Sequence, residues 1–179
     1  TPTGNGKDGA VTIGAKTGVL VLLSVSGEIK EGGGILDYST KDKKRFYTSL
    51  PVSFIYRFQN SGSDRVKPKG DIVIRNILGI KSAVIPANLV EGNVLPRSIR
   101  KFETVWQKEA SPATPNKPEP DRGFFEEASH QWKNFALGKY IAKLNLDFGS
   151  GQNATGSVSF WVFPWQLLIV ILVSLLLIY

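Results

Sequence analysis

No charged residue follows Asp147, so residues 148–179 carry no Lys, Arg, Asp or Glu. A chain divided in this way is built for two solvents, which argues against a freely soluble enzyme. Within the uncharged part, Leu167–Tyr179 holds eleven Leu, Ile and Val in thirteen residues, and Ser174 is the polar member. No polar face remains for an ordinary surface helix. Pro164 suits a first helical turn, where its missing N–H costs nothing. Trp161 and Trp165 flank that start, and indole rings favour the headgroup level of a bilayer. Residues 160–179 give the run of about 20 uncharged residues that a spanning helix needs.

The expectation is one C-terminal transmembrane helix over residues 164–179. Its anchor residues would be Trp161, Pro164, Trp165, Leu167, Leu172 and Tyr179. Those sixteen residues reach about 24 Å at about 1.5 Å per residue, against a hydrocarbon core of about 30 Å. A few further residues are therefore expected beyond Tyr179. Residues 144–163 hold Asp147 but no Lys or Arg, which fits the outer side of a positive-inside topology. The chain then reads as a single-pass cell-membrane protein with its bulk extracytoplasmic, its first partner being membrane lipid.

The earlier part reads as strands. Val52, Phe54, Tyr56 and Phe58 alternate strictly, and Ile72 and Ile74 do so within Asp71–Ile77, with a slip at Ile77. Ile35–Ser39, Ala83–Ile85, Ser98–Trp106, Lys139–Phe148 and Ser157–Phe163 add further strands. Gly18–Val25 is read as a buried strand rather than a signal-peptide core, because no basic cluster stands immediately before it. Turn residues (Asn60-Ser61-Gly62, Pro68-Lys69-Gly70, Leu78-Gly79 and Gly149–Asn153) fall between these runs. Strands at this spacing without intervening helices predict an all-β, antiparallel, immunoglobulin-like β-sandwich over residues 11–163. Residues 1–10 read as a linker. The absence of Met, even at position 1, makes Thr1 an internal or processed start.

Residues 107–134 read as an insertion in the sandwich. Ser111–Pro120 has four prolines in ten residues and is expected to be irregular or extended. Phe125, Ala128, Trp132 and Phe135 then fall at helical spacing, predicting a short helix that lids one end of the core. Gly32-Gly33-Gly34 reads as a flexible corner.

No catalytic constellation emerges, and neither a metal site nor a cofactor is expected. The chain has no Cys, and His130 is its single His, beside Trp132 within the insertion. Glu126 and Glu127 would point about 100° apart on a helix, not toward each other. Asp64 and Asp71 lack calcium-loop spacing. Asn153-Ala154-Thr155 matches a glycosylation sequon. Three basic clusters (Lys41–Arg45, Arg65–Lys69 and Arg97–Lys101) help give the net charge of +7. They suit an anionic envelope polymer better than nucleic acid, since no stacking aromatics are interleaved; protection of sheet edges is the plainer account.

Three stretches share a further likeness: Phe58, Asn60 and Gly62; Lys67, Pro68, Gly70, Ile72, Ile74, Asn76 and Gly79; and Asn93-Val94-Leu95-Pro96 with Ser98, Arg100 and Phe102. Together they resemble a bacterial surface domain found in membrane-anchored proteins similar to the WxL-interacting family, and in uncharacterised exported proteins of small-genome bacteria. Phe160–Trp165 resembles the latter group. The resemblance implies an extracytoplasmic immunoglobulin-like module tethered by one helix, and in WxL-interacting proteins an additional domain that binds wall polymer or partner proteins precedes it. As turn residues, Asn60 and Gly62 would supply a positive φ, Pro68 and Gly70 a tight start to a strand, and Arg100 would pin the loop from Asn93 to Pro96. The function expected is a non-enzymatic stalk or docking domain for an envelope component or a protein partner. The alternative is an accessory single-span subunit of a larger membrane complex, with Gln166 and Ser174, eight residues apart, bonding to other helices.

Overall fold

The computed structural model describes residues 32–108, 122–149 and 151–179. The linker, the Gly18–Val25 strand and the proline-rich stretch 111–120 lie outside the described residues. In chain order the elements are β1 (Gly33–Thr40), β2 (Phe46–Tyr47), β3 (Val52–Asn60), β4 (Lys69–Asn76) and β5 (Lys81–Pro86). There follow β6 (Ser98–Trp106), α1 (Phe124–Lys133), β7 (Gly138–Asp147), β8 (Asn153–Val162) and α2 (Trp165–Ile178).

The strands form two sheets, one in the order β1-β3-β6 and the other β2-β8-β7-β4-β5. Every strand pair is antiparallel except β2 with β8, which run parallel. The sequence reading missed β2 because two residues show no period. Its pairing comes from position: Phe46 lies beside Trp161 and Tyr47 beside Val162.

Period-two burial builds the core between the sheets. Val52, Phe54, Tyr56 and Phe58 turn inward from β3; Ile72 and Ile74 from β4; Ala142, Leu144 and Leu146 from β7. Ile77 falls outside this pattern because the chain leaves β4 at Asn76, and its side chain faces solvent. Aromatic edges join the two layers. Phe160 of β8 meets Phe54 of β3 at 5.6 Å and Trp106 of β6 at 6.0 Å, and Phe58 meets Phe148 at 5.1 Å. Such edge contacts contribute about 0.5–1.5 kcal/mol each beyond area burial.

Several glycine readings change. Gly33 and Gly34 belong to β1 rather than to a flexible corner, and a Cβ on Gly33 would fall 2.7 Å from the Phe58 ring. Gly70 behaves as expected: its φ is +147°, and a Cβ there would sit 2.0 Å from the Asn145 carbonyl oxygen. Neither Asn60 nor Gly62 adopts positive φ. The turn is held instead by the buried Asn60 side chain. Its Oδ1 accepts from Gly62 N–H at 2.9 Å, and its Nδ2 donates to the carbonyls of Asp64 (2.7 Å) and Val94 (3.0 Å). Arg100 does pin the next loop, donating to the Asn93 carbonyl at 2.7 Å.

Register defines two ends of the sandwich. Asn76 lies opposite Tyr140, and Tyr140 opposite Phe160. The β4–β5 turn, the start of β7 and the chain leaving β8 therefore share one end, together with β2. The Asn60–Val66 and Ala87–Pro96 loops occupy the other, bridged by Val66 and Val94.

Phe160→Ala should cost about 3–5 kcal/mol, the usual range for a buried Phe, read as a lowered urea midpoint with an unchanged slope. Alkaline pH should destabilise the fold as well. Burial pushes the phenols of Tyr38 and Tyr56 well above their ordinary range. The unfolded chain then loses these protons first, from about pH 10. Stability is fully present below that pH and falls above it, toward the folded-state values. Thermal melts of the Tyr38→Phe/Tyr56→Phe variant should show a shallower decline above about pH 10 than the parent protein.

Candidate functional site

The feature that sets this molecule apart from a bare sandwich is the pair of helices at the end from which β8 departs. α1 starts after Gly123, whose carbonyl accepts from Glu127 N–H at 2.9 Å. Glu126 and Glu127 lie in its first turn and His130 and Lys133 in its last, each suited to the local end of the helix dipole. The helix ends at Asn134, whose N–H donates to the His130 carbonyl.

α1 was expected to lid the core, and it does something else. Phe125 and Trp132 are 76% and 67% exposed, while Ala128 and Gln131 are the buried residues of this helix. No α1 residue joins the sandwich core; α1 packs against α2. Helical spacing anticipated a helix here but not its buried side: Phe135 lies beyond the end of α1, and Gln131, outside the expected stripe, is buried with Ala128.

The contact turns on Gln131, which is fully buried. The first amides of any helix have no partner within it, and Pro164, which precedes α2, has no side-chain oxygen to cap them. Gln131 supplies the cap from α1: its Oε1 accepts from Leu167 N–H at 3.0 Å, and its Nε2 donates to Gln166 Oε1. Both ends of the buried amide are thereby satisfied, as burial requires. Trp165 adds an edge contact with Phe124 at 6.0 Å. Between the helices runs a groove of about 490 Å³, lined by Phe125, Ala128 and Trp132 on one side and by Val170, Ile171 and Ser174 on the other.

This geometry corrects part of the anchor reading. α2 has fourteen residues, about 21 Å at about 1.5 Å per residue. Among the described residues no helix is long and apolar enough to cross a membrane, so the transmembrane helix expected over residues 164–179 is not formed as a span. Pro164 stands just before the helix, and Trp161 lies in β8, half exposed like Trp165. Leu167 is turned inward beneath α1, whereas Leu172 and Tyr179 are exposed. Gln166 and Ser174 are both satisfied within the chain: Gln166 by Gln131, and Ser174 by donating to the Val170 carbonyl at 2.8 Å.

The remaining candidates do not converge. Glu127 faces Arg122 at 3.4 Å and Ser49 at 3.5 Å, while Glu126 points into solvent, so the two carboxylates occupy different surroundings. His130 Nδ1 lies 4.0 Å from Glu127. Among the described residues no group of three His, Cys, Asp or Glu is placed to share a metal. The basic clusters separate: Lys41–Arg45 is at the helical end, with Lys41 on Glu103 at 2.6 Å, and the other two border the loops at the opposite end. There Lys67 donates to Glu91 and holds its carboxyl below the usual range, and Arg100 lies 5.5 Å over the Phe102 ring. They do not form one continuous polymer-binding face.

Replacing Gln131 by Leu should free the amide of Leu167. Hydrogen exchange there should accelerate, reflecting a lost buried hydrogen bond of about 1–3 kcal/mol, while amides of β3 and β7 keep their protection.

No family model and no curated protein matches the chain, so the resemblance to WxL-interacting proteins rests on the residues that suggested it. Solved structures give likenesses of shape. One is a cycloisomaltooligosaccharide glucanotransferase of a Paenibacillus species, with 13% identity and a TM-score of 0.45; the match covers 75% of this chain but only 14% of that one. Another is the C-terminal domain of Wzt, with 11% identity and a TM-score of 0.43, covering 76% of this chain and 79% of that one. A third is the CARDB domain of a Pyrococcus furiosus protein, with 11% identity and a TM-score of 0.39, covering 78% of this chain and 98% of that one. These low scores leave the chain's own residues to carry the functional reading: two β-sheets packed face to face, ending in a helix pair with an apolar outer surface.

Proposed function

We propose that this protein is a non-enzymatic, immunoglobulin-like module held at a membrane by its C-terminal apolar helix, presenting the sandwich as a stalk or docking domain for an envelope component or a protein partner. The observation that carries the reading is the surface of α2. Only Leu167 is buried, while Ile169, Leu172, Leu175, Leu176, Leu177 and Ile178 are all exposed. Withdrawing six such side chains from water is worth on the order of 10 kcal/mol before the cost of immobilisation. Patches of this kind mark interaction surfaces.

The tether does not require α2 to cross the bilayer. A helix of about 21 Å reaches past the middle of a hydrocarbon core about 30 Å thick. The accessory-subunit reading is weakened, because the polar groups on α2 that would bond to a foreign helix already have partners in this chain.

Flotation with phosphatidylcholine vesicles tests the tether. The protein should rise with the lipid, and the Leu172→Asp/Leu176→Asp variant should remain below with the sandwich melting unchanged. A parent protein that stays at the bottom of the gradient would overturn the proposal.

A further inference from the structure

The β4–β5 turn, Ile77-Leu78-Gly79-Ile80, is as apolar as the helices and has no part in the core. Its side chains at Ile77 and Leu78 are 67% and 77% exposed, and Ile80 is similarly open. The turn is nevertheless tightly built. Asn76 N–H donates to the Ile80 carbonyl at 3.0 Å, Gly79 N–H to the Asn76 carbonyl at 2.9 Å, and Ile80 N–H to Asn76 Oδ1 at 2.9 Å. Gly79 takes a φ of +78°, which suits glycine. A rigid turn thus holds three large aliphatic side chains in water, where neither packing nor backbone geometry calls for them.

Its base is cationic. Arg75 lies directly across from Lys81, an unfavourable like-charge pair, and neither makes an ion pair among the described residues. Arg75 donates to the Gly79 carbonyl at 2.9 Å, keeping its guanidinium beside the turn. Register puts this turn at the same end of the sheet as the departure of β8 into α2. An apolar tip above a pair of cations matches a bilayer in profile: hydrocarbon at the tip, anionic headgroups at the base.

We infer that the β4–β5 turn is a second membrane contact, with Ile77, Leu78 and Ile80 entering the interfacial zone of an anionic bilayer and Arg75 and Lys81 meeting lipid phosphates. The inference rests on the tether proposed above. A second contact, at the β4–β5 edge of the five-stranded sheet, would set the orientation of the sandwich to the membrane. The opposite loops, including the exposed Leu89 and Val90, are then held away from the lipid.

Because the chain has no Cys, single labels are unambiguous. Leu78→Cys, Leu89→Cys and Leu176→Cys, each carrying an environment-sensitive nitrobenzoxadiazole dye, are bound to vesicles of phosphatidylcholine and phosphatidylglycerol in equal parts, with and without nitroxide-bearing lipid. Expected are blue-shifted emission and nitroxide quenching at positions 78 and 176, and neither at 89. In pure phosphatidylcholine, position 78 should lose its blue shift while 176 keeps it, and Lys81→Glu should diminish the shift at 78 in the anionic vesicles. Quenching at 176 without quenching at 78 overturns the inference and leaves the tether standing, the turn then facing water or a protein. An equal response at 78 in both lipids overturns the role of the two cations. No quenching at either position overturns the tether and the inference together.

Discussion

The helical end of the molecule hangs from the ring of Phe160. This side chain lies between the two sheets, in edge contact with Phe54, Trp106 and Tyr47 and stacked on Tyr140. It is also close to the last residue of β8, after which the chain turns through Phe163 and Pro164 into α2. Packing in protein interiors leaves little room for a ring to shift, so this cluster sets where α2 begins. It likewise ties β2, β6 and β7 to the same end. The core thereby decides which loops share a surface with the apolar helix.

A single buried amide makes the next connection. Gln131 links α1 to α2 by capping an N-terminus that Pro164 leaves uncapped. That bond is local and polar, whereas the faces around it are apolar and open. The helix pair is therefore oriented by hydrogen bonding but not closed by hydrophobic contact, and its outer side chains remain available to a medium other than water. The same imbalance recurs at the β4–β5 turn, where hydrogen bonds to Asn76 and Gly79 hold the backbone and the aliphatic side chains face solvent.

The sequence made much of the sandwich legible. Alternation in Val52–Phe58 identified β3 and its inward face, and Ser98–Trp106 marked β6 to the residue, because burial on one face of a strand imposes period two. Gly70 was readable for its backbone, and Arg100 for its reach to the Asn93 loop. Other features had no local signal. β2 is too short to show a period, and its parallel partner is remote in sequence. Asn60 and Gly62 marked a turn, but the side-chain hydrogen bonds that hold it without positive φ required the Val94 loop to be in place. Leu78-Gly79 read as a turn and Ile77 as the end of a strand, but the slip at Ile77 does not reveal that three aliphatic side chains there face solvent.

By itself, then, the sequence determined an uncharged C-terminal segment, a β-rich body and the faces of its longer strands, since these follow from local composition and period. Only the tertiary structure decided that α1 meets α2 rather than the core, that α2 turns Leu167 inward, and that a hydrophobic turn shares its end of the sheet. Those outcomes depend on register and on long-range contacts, where the partner of a residue is chosen by packing and hydrogen-bond satisfaction rather than by its neighbours in the chain.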